Sequence, residues 1–391
     1  MNNQKKICMI AYAHYSYDAR IKAYTRTIEQ IGGTVDIFAL REQGKKKFEQ
    51  IGNSRIFYLA NKYQGSNGFF YLISYIAFFI KAFIKVSYMF VKEKYTAIHV
   101  HNMPNFIIFA AILPRILGAR VILDIHDLMT VNYMVKFNVD ADNFLIKCLI
   151  FEQKISARFA SYLLCADHNQ KNYLESVCNI PQKKIKVIMN LPNEEIFHPV
   201  ERVNLNHDKF RLIYHGTIAK RLGIDIMLEA ISKIGDQIPI HLSIYGSGDF
   251  LAEAVSIANK LNLDGKVYFS KSFFPTEMVP KMVSGVDLGV VANRKSLATD
   301  RFMMPVKLLE YVYLKIPVVA PRLEIIESYF DEGMIKYYDP ENVNDLARCI
   351  LELYNNPQER ESLVYKASTF YEKCSWKIQG EEYLRLLSEN E

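Results

Sequence analysis

Phe210-Arg-Leu-Ile-Tyr-His-Gly216 and Lys6-Ile-Cys-Met-Ile-Ala-Tyr-Ala13 open the two halves of the chain in the same way. Each is a short apolar run that ends at a polar turn and passes into residues of helical spacing. This predicts the first βα unit of a doubly wound sheet. Outward from the first run the pattern predicts a helix over 19–31, strands over 34–40, 97–101 and 120–126, and a helix over 106–117. Outward from the second it predicts helices over 223–234, 250–261 and 305–314 and strands over 240–245, 266–269, 287–292 and 316–320. Strands alternating with helices imply parallel pairing through right-handed crossovers, so the expected fold class is α/β with two doubly wound parallel-sheet domains. The stretch 191–209 has two prolines, three asparagines and no period, as a linker would. Domains are therefore expected over 1–190 and 210–373, with a terminal helix at 374–391 packing across both. Open parallel sheets bind ligands beyond the carboxyl ends of their strands, which places the expected site in the loops after the strands and in a cleft between two such edges.

With 391 residues the chain is long enough for about two or three domains. Half of it is apolar and 23% is charged, which excludes a wholly disordered protein. Forty-eight Lys and Arg against 42 Asp and Glu leave a net charge of +6, too mild to announce nucleic acid, and none is expected as a partner. Cys8, Cys148, Cys165, Cys178, Cys349 and Cys374 form no Cys-x-x-Cys pair, which argues for buried free thiols in a reducing compartment. Lys5 and Lys6 precede only a short apolar run with no small-residue cleavage pattern. No secretory signal is expected, and the chain is placed in the cytoplasm.

The most apolar region is 69–91. Its longest uncharged run, 69–80, falls short of the roughly 18–20 residues a spanning helix needs. On helical spacing Ser74, Lys81, Lys85 and Lys92 share a stripe and leave a wide face of Phe, Tyr, Ile, Leu and Met. Such a helix fits the interface of an anionic membrane, and it fits equally well one-sided burial against the first domain.

The densest chemical signal is Asp300-Arg-Phe-Met-Met-Pro305-Val-Lys307-Leu-Leu-Glu310. Pro305 suits a helix start, where neighbouring amides point outward and the dipole favours an anion. Lys307 adds a positive charge there, and Glu310 follows on nearly the same face, where a carboxylate could accept two hydrogen bonds from a ribose diol. Alone, the segment could be a surface Lys–Glu pair. It is joined by Tyr214-His-Gly216-Thr217-Ile-Ala-Lys220-Arg221-Leu-Gly223, a strand end with a glycine and a basic pair, and by the turn Gly246-Ser-Gly248. Arg221 could hold a diphosphate bidentately.

These stretches resemble the family 4 glycosyltransferases of the GT-B fold, in particular bacterial enzymes that build surface polysaccharides. The resemblance spans nearly the whole chain. It runs through Tyr17-Asp18-Ala-Arg20, Ile98-His-Val-His101-Asn102, Leu123-Asp-Ile-His126-Asp127, Val187-Ile-Met-Asn190, 215–223, Tyr245-Gly246-Ser-Gly-Asp249, the block from Pro305 to Ala320, and Ser375-Trp376. It implies two Rossmann-like domains facing a central cleft, with the nucleotide sugar in the second and the acceptor against the first. The implied reaction is transfer of a hexosyl or acetylhexosaminyl group, with retention, to a lipid-linked or saccharide acceptor. No metal or other cofactor is implied, and a UDP-sugar is the expected donor. Carried over by position, Glu310 binds the donor ribose, Arg221 and Lys307 the diphosphate, and His126 the transferred sugar. Gly216, Thr217, Lys220, Gly246, Asp300, Pro305 and Val306 complete the donor set; His101 and Asn102 are acceptor candidates, and Asp18 and Arg20, at the start of the first helix, are either acceptor contacts or an ordinary first-turn Asp and a solvated Arg. Asp127 is a candidate base for the acceptor or a helix cap.

The chain departs from the family at Phe302, where an acid eight residues before Glu310 is usual, leaving Asp300 as the nearest carboxylate. Leu222 replaces a lysine, Thr130 and Val131 replace a Pro-Glu pair, and 11–16 lacks a glycine-rich loop. His99 and His101 share a strand face, the spacing of a metal pair, but no third ligand is evident. Asp140-Ala-Asp142 falls in a polar connection and is read as chance. The expected setting is peripheral, at the inner face of the plasma membrane, with other polysaccharide-assembly proteins as further partners. Rival readings are a nucleotide-sugar 2-epimerase of the same architecture and an inactive nucleotide-sugar-binding partner protein.

Overall fold

The computed structural model describes residues 5–42, 44–65, 67–195, 197–198 and 208–388. Much of the expected linker 191–209, namely 196 and 199–207, lies outside the described residues. The chain divides into two compact units, Met1–Asn190 with Gln379–Glu391, and Leu191–Ile378.

The first unit is built on β1 (Lys6–Ala11), β2 (Thr34–Arg41), β3 (Phe48–Ile51), β4 (Ser54–Asn61), β5 (Ala97–His101), β6 (Arg120–Ile125), β7 (Tyr162–Cys165) and β8 (Ile185–Val187). They form one sheet in the order β3-β4-β2-β1-β5-β6-β7-β8, parallel except for the β3–β4 hairpin. β1, β5 and β6 are almost wholly buried, as continuous apolar runs covered by helices on both faces should be. The helix expected over 106–117 begins instead as a 3₁₀ stretch, Asn105–Ala111, and turns α-helical only over Ile112–Ile116. Pro114 has no N–H to close an α-helical bond onto that preceding turn. β3, β4, β7, β8 and the helices Met129–Phe137, Phe144–Phe159 and His168–Ser176 were not anticipated from the pattern.

The end of the chain docks on this unit. His99 Nδ1 lies 2.9 Å from the Tyr383 hydroxyl, Arg120 Nη1 donates to the Leu386 carbonyl at 2.7 Å, and the Met189 N–H donates to Gln379 Oε1 at 2.7 Å. All six cysteines are free, and Cys148 is exposed rather than buried.

The second unit carries β9 (Phe210–His215), β10 (Ile240–Tyr245), β11 (Val267–Phe269), β12 (Leu288–Val290), β13 (Val318–Pro321) and β14 (Lys336–Tyr338). All pairs are parallel, in the order β11-β10-β9-β12-β13-β14. Ile224, Met227, Leu228 and Ile231 of the helix Ile224–Ile234 join Leu212, Tyr214, Leu242 and Ile244 in its core. Each such buried side chain contributes about 1.5–3 kcal/mol of hydrophobic stabilisation.

Strand order reverses once in each sheet, between β1 and β5 in the first and between β9 and β12 in the second. At such a switch point adjacent loops diverge and leave a crevice at the carboxyl edge. His101 and Asn102 end β5 at one of these points, and His215 and Gly216 end β9 at the other.

Candidate functional site

In the second unit, three loops meet at the carboxyl edge of β9. Gly216 has φ +113°, and a side chain on Gly246 would lie 1.8 Å from the Gly216 carbonyl oxygen, so the turn after β10 seats directly on the loop after β9. Only glycine permits that approach. A side chain on Gly223 would likewise meet the Ala292 carbonyl oxygen at 1.8 Å, which ties the same loop to the one after β12. Arg294, absent from the sequence expectations, clamps it further. Its N–H donates to the Arg221 carbonyl at 2.9 Å and its Nε to the Lys220 carbonyl at 3.2 Å, while its guanidinium pairs with Asp225 and Glu341, each at 2.6 Å.

Onto this loop comes the helix Val306–Tyr313, with Pro305 as its N-cap. A Cβ on Gly216 would lie 3.7 Å from Lys307 Cε, and Lys307 Nζ sits 4.6 Å from the centre of the Tyr214 ring. The aliphatic arm of Lys307 thus crosses the glycine and its ammonium rests on an aromatic face. Burial lowers the Lys307 pKa to about 8; the Arg221 charge pushes the same way, and Glu310 opposes both. One turn on, Glu310 Oε2 lies 2.5 Å from His215 Nε2, and His215 Nδ1 lies 2.9 Å from the Tyr311 hydroxyl. A buried carboxylate therefore stands next to a crowded cation at a glycine-lined strand end, an arrangement with an unmet demand for negative charge.

The structure thus brings together Gly216, Gly246, Pro305, Lys307, Glu310 and the neighbourhood of Arg221. Thr217, Lys220, Arg221 and Val306 are exposed on the same loops. Asp300 is engaged elsewhere. Its carboxylate accepts from the Glu324 N–H at 3.0 Å, the first amide of the helix Glu324–Glu327 after β13, and pairs with Lys295 at 3.4 Å.

In the first unit the loop edge at β5 and β6 carries a buried polar network. The parallel register sets His101 beside Asp124, and alternation along β6 puts His126 on the same face as Asp124. Arg20 Nε and Nη2 each donate to Asp124 at 2.7 Å, and Nη1 donates to the Ile188 carbonyl at 2.6 Å and Asn190 Oδ1 at 2.9 Å. Expected at the acceptor, Arg20 is turned inward, and its donors go to the protein itself. Asp124 Oδ2 also lies 3.2 Å from His126 Nε2 and 3.4 Å from His101 Nδ1, with the two imidazole nitrogens 3.0 Å apart.

These neighbours separate the histidines. Burial lowers His99 to about 3 and lowers His101, keeping both neutral. For His126 burial also acts downward, but the Asp124 charge and hydrogen bond outweigh it and raise the pKa above the ordinary histidine value. Burial alone would raise Asp124, yet Arg20 and His126 hold it well below the usual carboxylate range. Asn102 fixes the backbone here. Its Oδ1 accepts the His126 N–H at 2.8 Å and its Nδ2 donates to the Asp127 carbonyl at 2.7 Å. Asp18 caps the helix Ala19–Gln30 by accepting the Ile21 N–H at 3.0 Å, and its charge helps raise His126. Asp127 is partly exposed, and its charge helps raise Asp167, which burial chiefly lifts to about 7.

Possible ligand atoms of His99, His101 and Asp124 lie within 4.8 Å of one another. Both Asp124 oxygens are already bonded to a guanidinium, which would repel a divalent cation at that point. The cluster suits an ion-pair network better than a metal cage. Asp124 is the hub of this network, a role its sequence context does not announce. Its one signal was the two-residue spacing to His126 on a strand.

Residues 20–193 match the family described as Glycosyltransferase Family 4, and residues 199–370 match Glycosyl transferases group 1. Chitobiosyldiphosphodolichol beta-mannosyltransferase of Debaryomyces hansenii is 23% identical over 296 residues, covering 66% of this chain and 61% of that protein. The chain thus spans about three fifths of the length of the relatives bearing that name. Among solved structures, sucrose-phosphate synthase from Thermosynechococcus elongatus superposes with a TM-score of 0.78 at 17% identity, covering 98% of each chain. Anabaena HepE in complex with UDP and glucose gives 0.74 at 15% identity, covering 98% of this chain and 100% of that one. At such identities the likeness is one of fold, and that fold is GT-B.

Proposed function

We propose that this chain, a member of the GT-B glycosyltransferases by both of its halves, moves a sugar from a nucleotide-diphosphate sugar to a lipid-linked saccharide. The observation that carries this reading is the convergence of Gly216, Lys307, Arg221 and Glu310 at the carboxyl edge of β9. The diphosphate occupies the space over Gly216, between Lys307, Arg221 and the first amides of the helix Val306–Tyr313. Glu310, held by His215, receives the ribose hydroxyls. As the bond to the sugar breaks, negative charge collects on the departing diphosphate, and these preorganised cations and amides stabilise it without a metal ion. By the sequence resemblance His126, whose pKa Asp124 raises, is assigned to the transferred sugar, and Asp127 to the acceptor proton. A UDP-sugar as donor and retention at the transferred hexosyl or acetylhexosaminyl group follow the sequence resemblance.

Support for a lipid-linked acceptor comes from the name of the Debaryomyces relative, a diphosphodolichol-linked saccharide mannosyltransferase. The reaction takes place at the cytoplasmic face of the membrane, in assembly of a cell-surface polysaccharide. Thermal stabilisation by a panel of nucleotide sugars tests the donor. Incubation with the stabilising donor, with and without lipid-linked saccharides, separates transfer from its rivals. A product formed from donor alone would make the enzyme an epimerase, and no turnover despite binding would make it a binding protein. The anomeric coupling of the first-formed glycoside, read by NMR, tests retention, and an inverted product overturns it.

A further inference from the structure

We propose that the outer face of three consecutive helices in the first unit is a docking surface for an anionic lipid bilayer, with the helix Phe144–Phe159 as much a part of it as Gly68–Glu93. The three are Gly68–Glu93, the 3₁₀ and α-helical stretch 105–116, and Phe144–Phe159. They link β4 to β5, β5 to β6 and β6 to β7, whose successive steps across the sheet run in one direction. Right-handed crossovers running one way lie on one side of a sheet, so the helices form a single layer. The middle one packs against both neighbours, with Phe106 against Phe79 at 5.9 Å and Phe109 against Phe159 at 5.1 Å between ring centres.

Each outer helix buries one stripe and exposes an apolar one opposite. In Gly68–Glu93 the buried stripe is Phe78, Ala82, Val86, Met89 and Phe90. On the far side Phe69 (66% exposed), Ile73, Ile76, Ile80, Ile84 (62%) and Val91 face outward. In Phe144–Phe159 the buried residues are Ile146, Gln153, Ser156 and Ala157. Opposite them Phe144 (81%), Cys148, Phe151 (65%) and Ile155 recur at steps of four, three and four, a continuous stripe on a helix. Ile112 and Ile116 extend the exposed surface between the two. A soluble protein rarely exposes a contiguous apolar patch of this breadth.

Charge decides the occupant. Lys81 and Lys92 are exposed beside the apolar face of the first helix, while the half-buried Lys85 lays its ammonium over the Phe57 ring; Lys147, paired with Asp142 at 3.2 Å, lies with Lys154 and Arg158 along one side of the second. The acids on these helices are turned to the protein: Glu93 pairs with Lys6 and Arg55, and Glu152 accepts from Asn105. An apolar plane edged by basic side chains with long stems is complementary to acyl chains beneath anionic headgroups. The helix Gly68–Glu93 is long and apolar enough to cross a membrane, about 39 Å for its 26 residues. Its buried stripe, however, lies against the sheet and the 3₁₀ stretch, which holds it parallel to the plane. Docking of this kind needs neither nucleotide nor saccharide, so it stands or falls separately from sugar transfer.

The test is flotation of the full chain with vesicles of phosphatidylcholine alone or of an equimolar mixture with phosphatidylglycerol, without donor or acceptor. The chain is expected to float with the mixed vesicles and several-fold less with the neutral ones. The double variants F144S/F151S and K81E/K92E are each expected to reduce flotation about tenfold, with unchanged thermal melts because these positions are exposed. Failure of the chain to float would overturn the proposal. So would flotation that survives F144S/F151S, which would confine contact to one helix. A concentration-dependent dimer in sedimentation velocity, abolished by F144S/F151S without vesicle binding, would assign the face to a second copy instead.

Discussion

His126 Nε2 lies 3.2 Å from Oδ2 of Asp124, a carboxylate with no solvent exposure that Arg20 also holds through two hydrogen bonds of 2.7 Å. The pair joins the carboxyl end of β6 to the interior. It raises the His126 pKa, whereas burial lowers those of His99 and His101 on the same face.

The first prediction concerns that pair. In NMR titrations His126 should titrate above the ordinary histidine value of about 6.5, and Asp124→Asn should bring it down. Because its folded pKa is raised, the stabilisation from His126 is complete below the unfolded value and lost as pH rises through the folded one. Asp124 is depressed, so its contribution is present above the unfolded value of about 3.9 and lost as pH falls through the folded one. Asp124→Asn leaves Arg20 buried without a counter-charge and should cost about 3–5 kcal/mol in denaturant unfolding. An unshifted His126 in the variant would remove Asp124 as its positioning partner.

Lys307 gives the opposite sign. Its folded pKa of about 8 is below the unfolded value of about 10.4. Between those values the unfolded chain binds more protons, so stability should rise with pH across that window. A bound diphosphate supplies the missing negative charge and restores the proton. Calorimetry of UDP binding near pH 8, in buffers of different ionisation enthalpy, should therefore show proton uptake that Lys307→Met abolishes. Equal uptake in the variant would point to another group.

Glu310→Ala should weaken UDP binding about tenfold or more, the usual cost of losing hydrogen bonds to a charged group. Glu310→Gln should retain part of the affinity, since it keeps one acceptor for the ribose. Unchanged dissociation constants in both variants would end the ribose assignment.

Arg221→Lys keeps the charge and loses the planar fork. If the guanidinium stabilises the departing diphosphate, kcat should fall at least as much as donor affinity. A rise in KM at constant kcat would show that it binds donor and transition state alike.

Gly246→Ala tests the seating of the two loops. Its φ of +151° and the carbonyl oxygen 1.8 Å from the new Cβ leave no room without backbone movement. The variant should lose about 1–3 kcal/mol of stability and bind donor more weakly, because Gly216 shifts with it. Thermal melts and binding equal to those of the parent would mean that the two loops move apart freely.

Glu310 and Lys307 were legible because one short helix carries both and its periodicity sets their common face. The same local logic did not reveal the partners of Arg20 and Asp300. Each lies near the expected site along the chain, but its hydrogen-bonding capacity goes to groups distant in sequence, Asp124 and Ile188 for Arg20 and the Glu324 N–H for Asp300. Asp124, Arg294 and the exposed stripe of Phe144–Phe159 passed unnoticed for a related reason. A carboxylate on a strand, a cation in a loop and an apolar residue on a helix read alike whether they face a partner or solvent.

By itself the sequence determined the alternation of strand and helix, the glycines at strand ends and the acid–base pair on one helix, because these depend on periodicity and backbone stereochemistry within a few residues. Tertiary structure alone decided which charges neutralise one another and which apolar faces remain uncovered. Those outcomes depend on desolvation and on contacts between strands and helices far apart in the chain, where no local pattern records the partner.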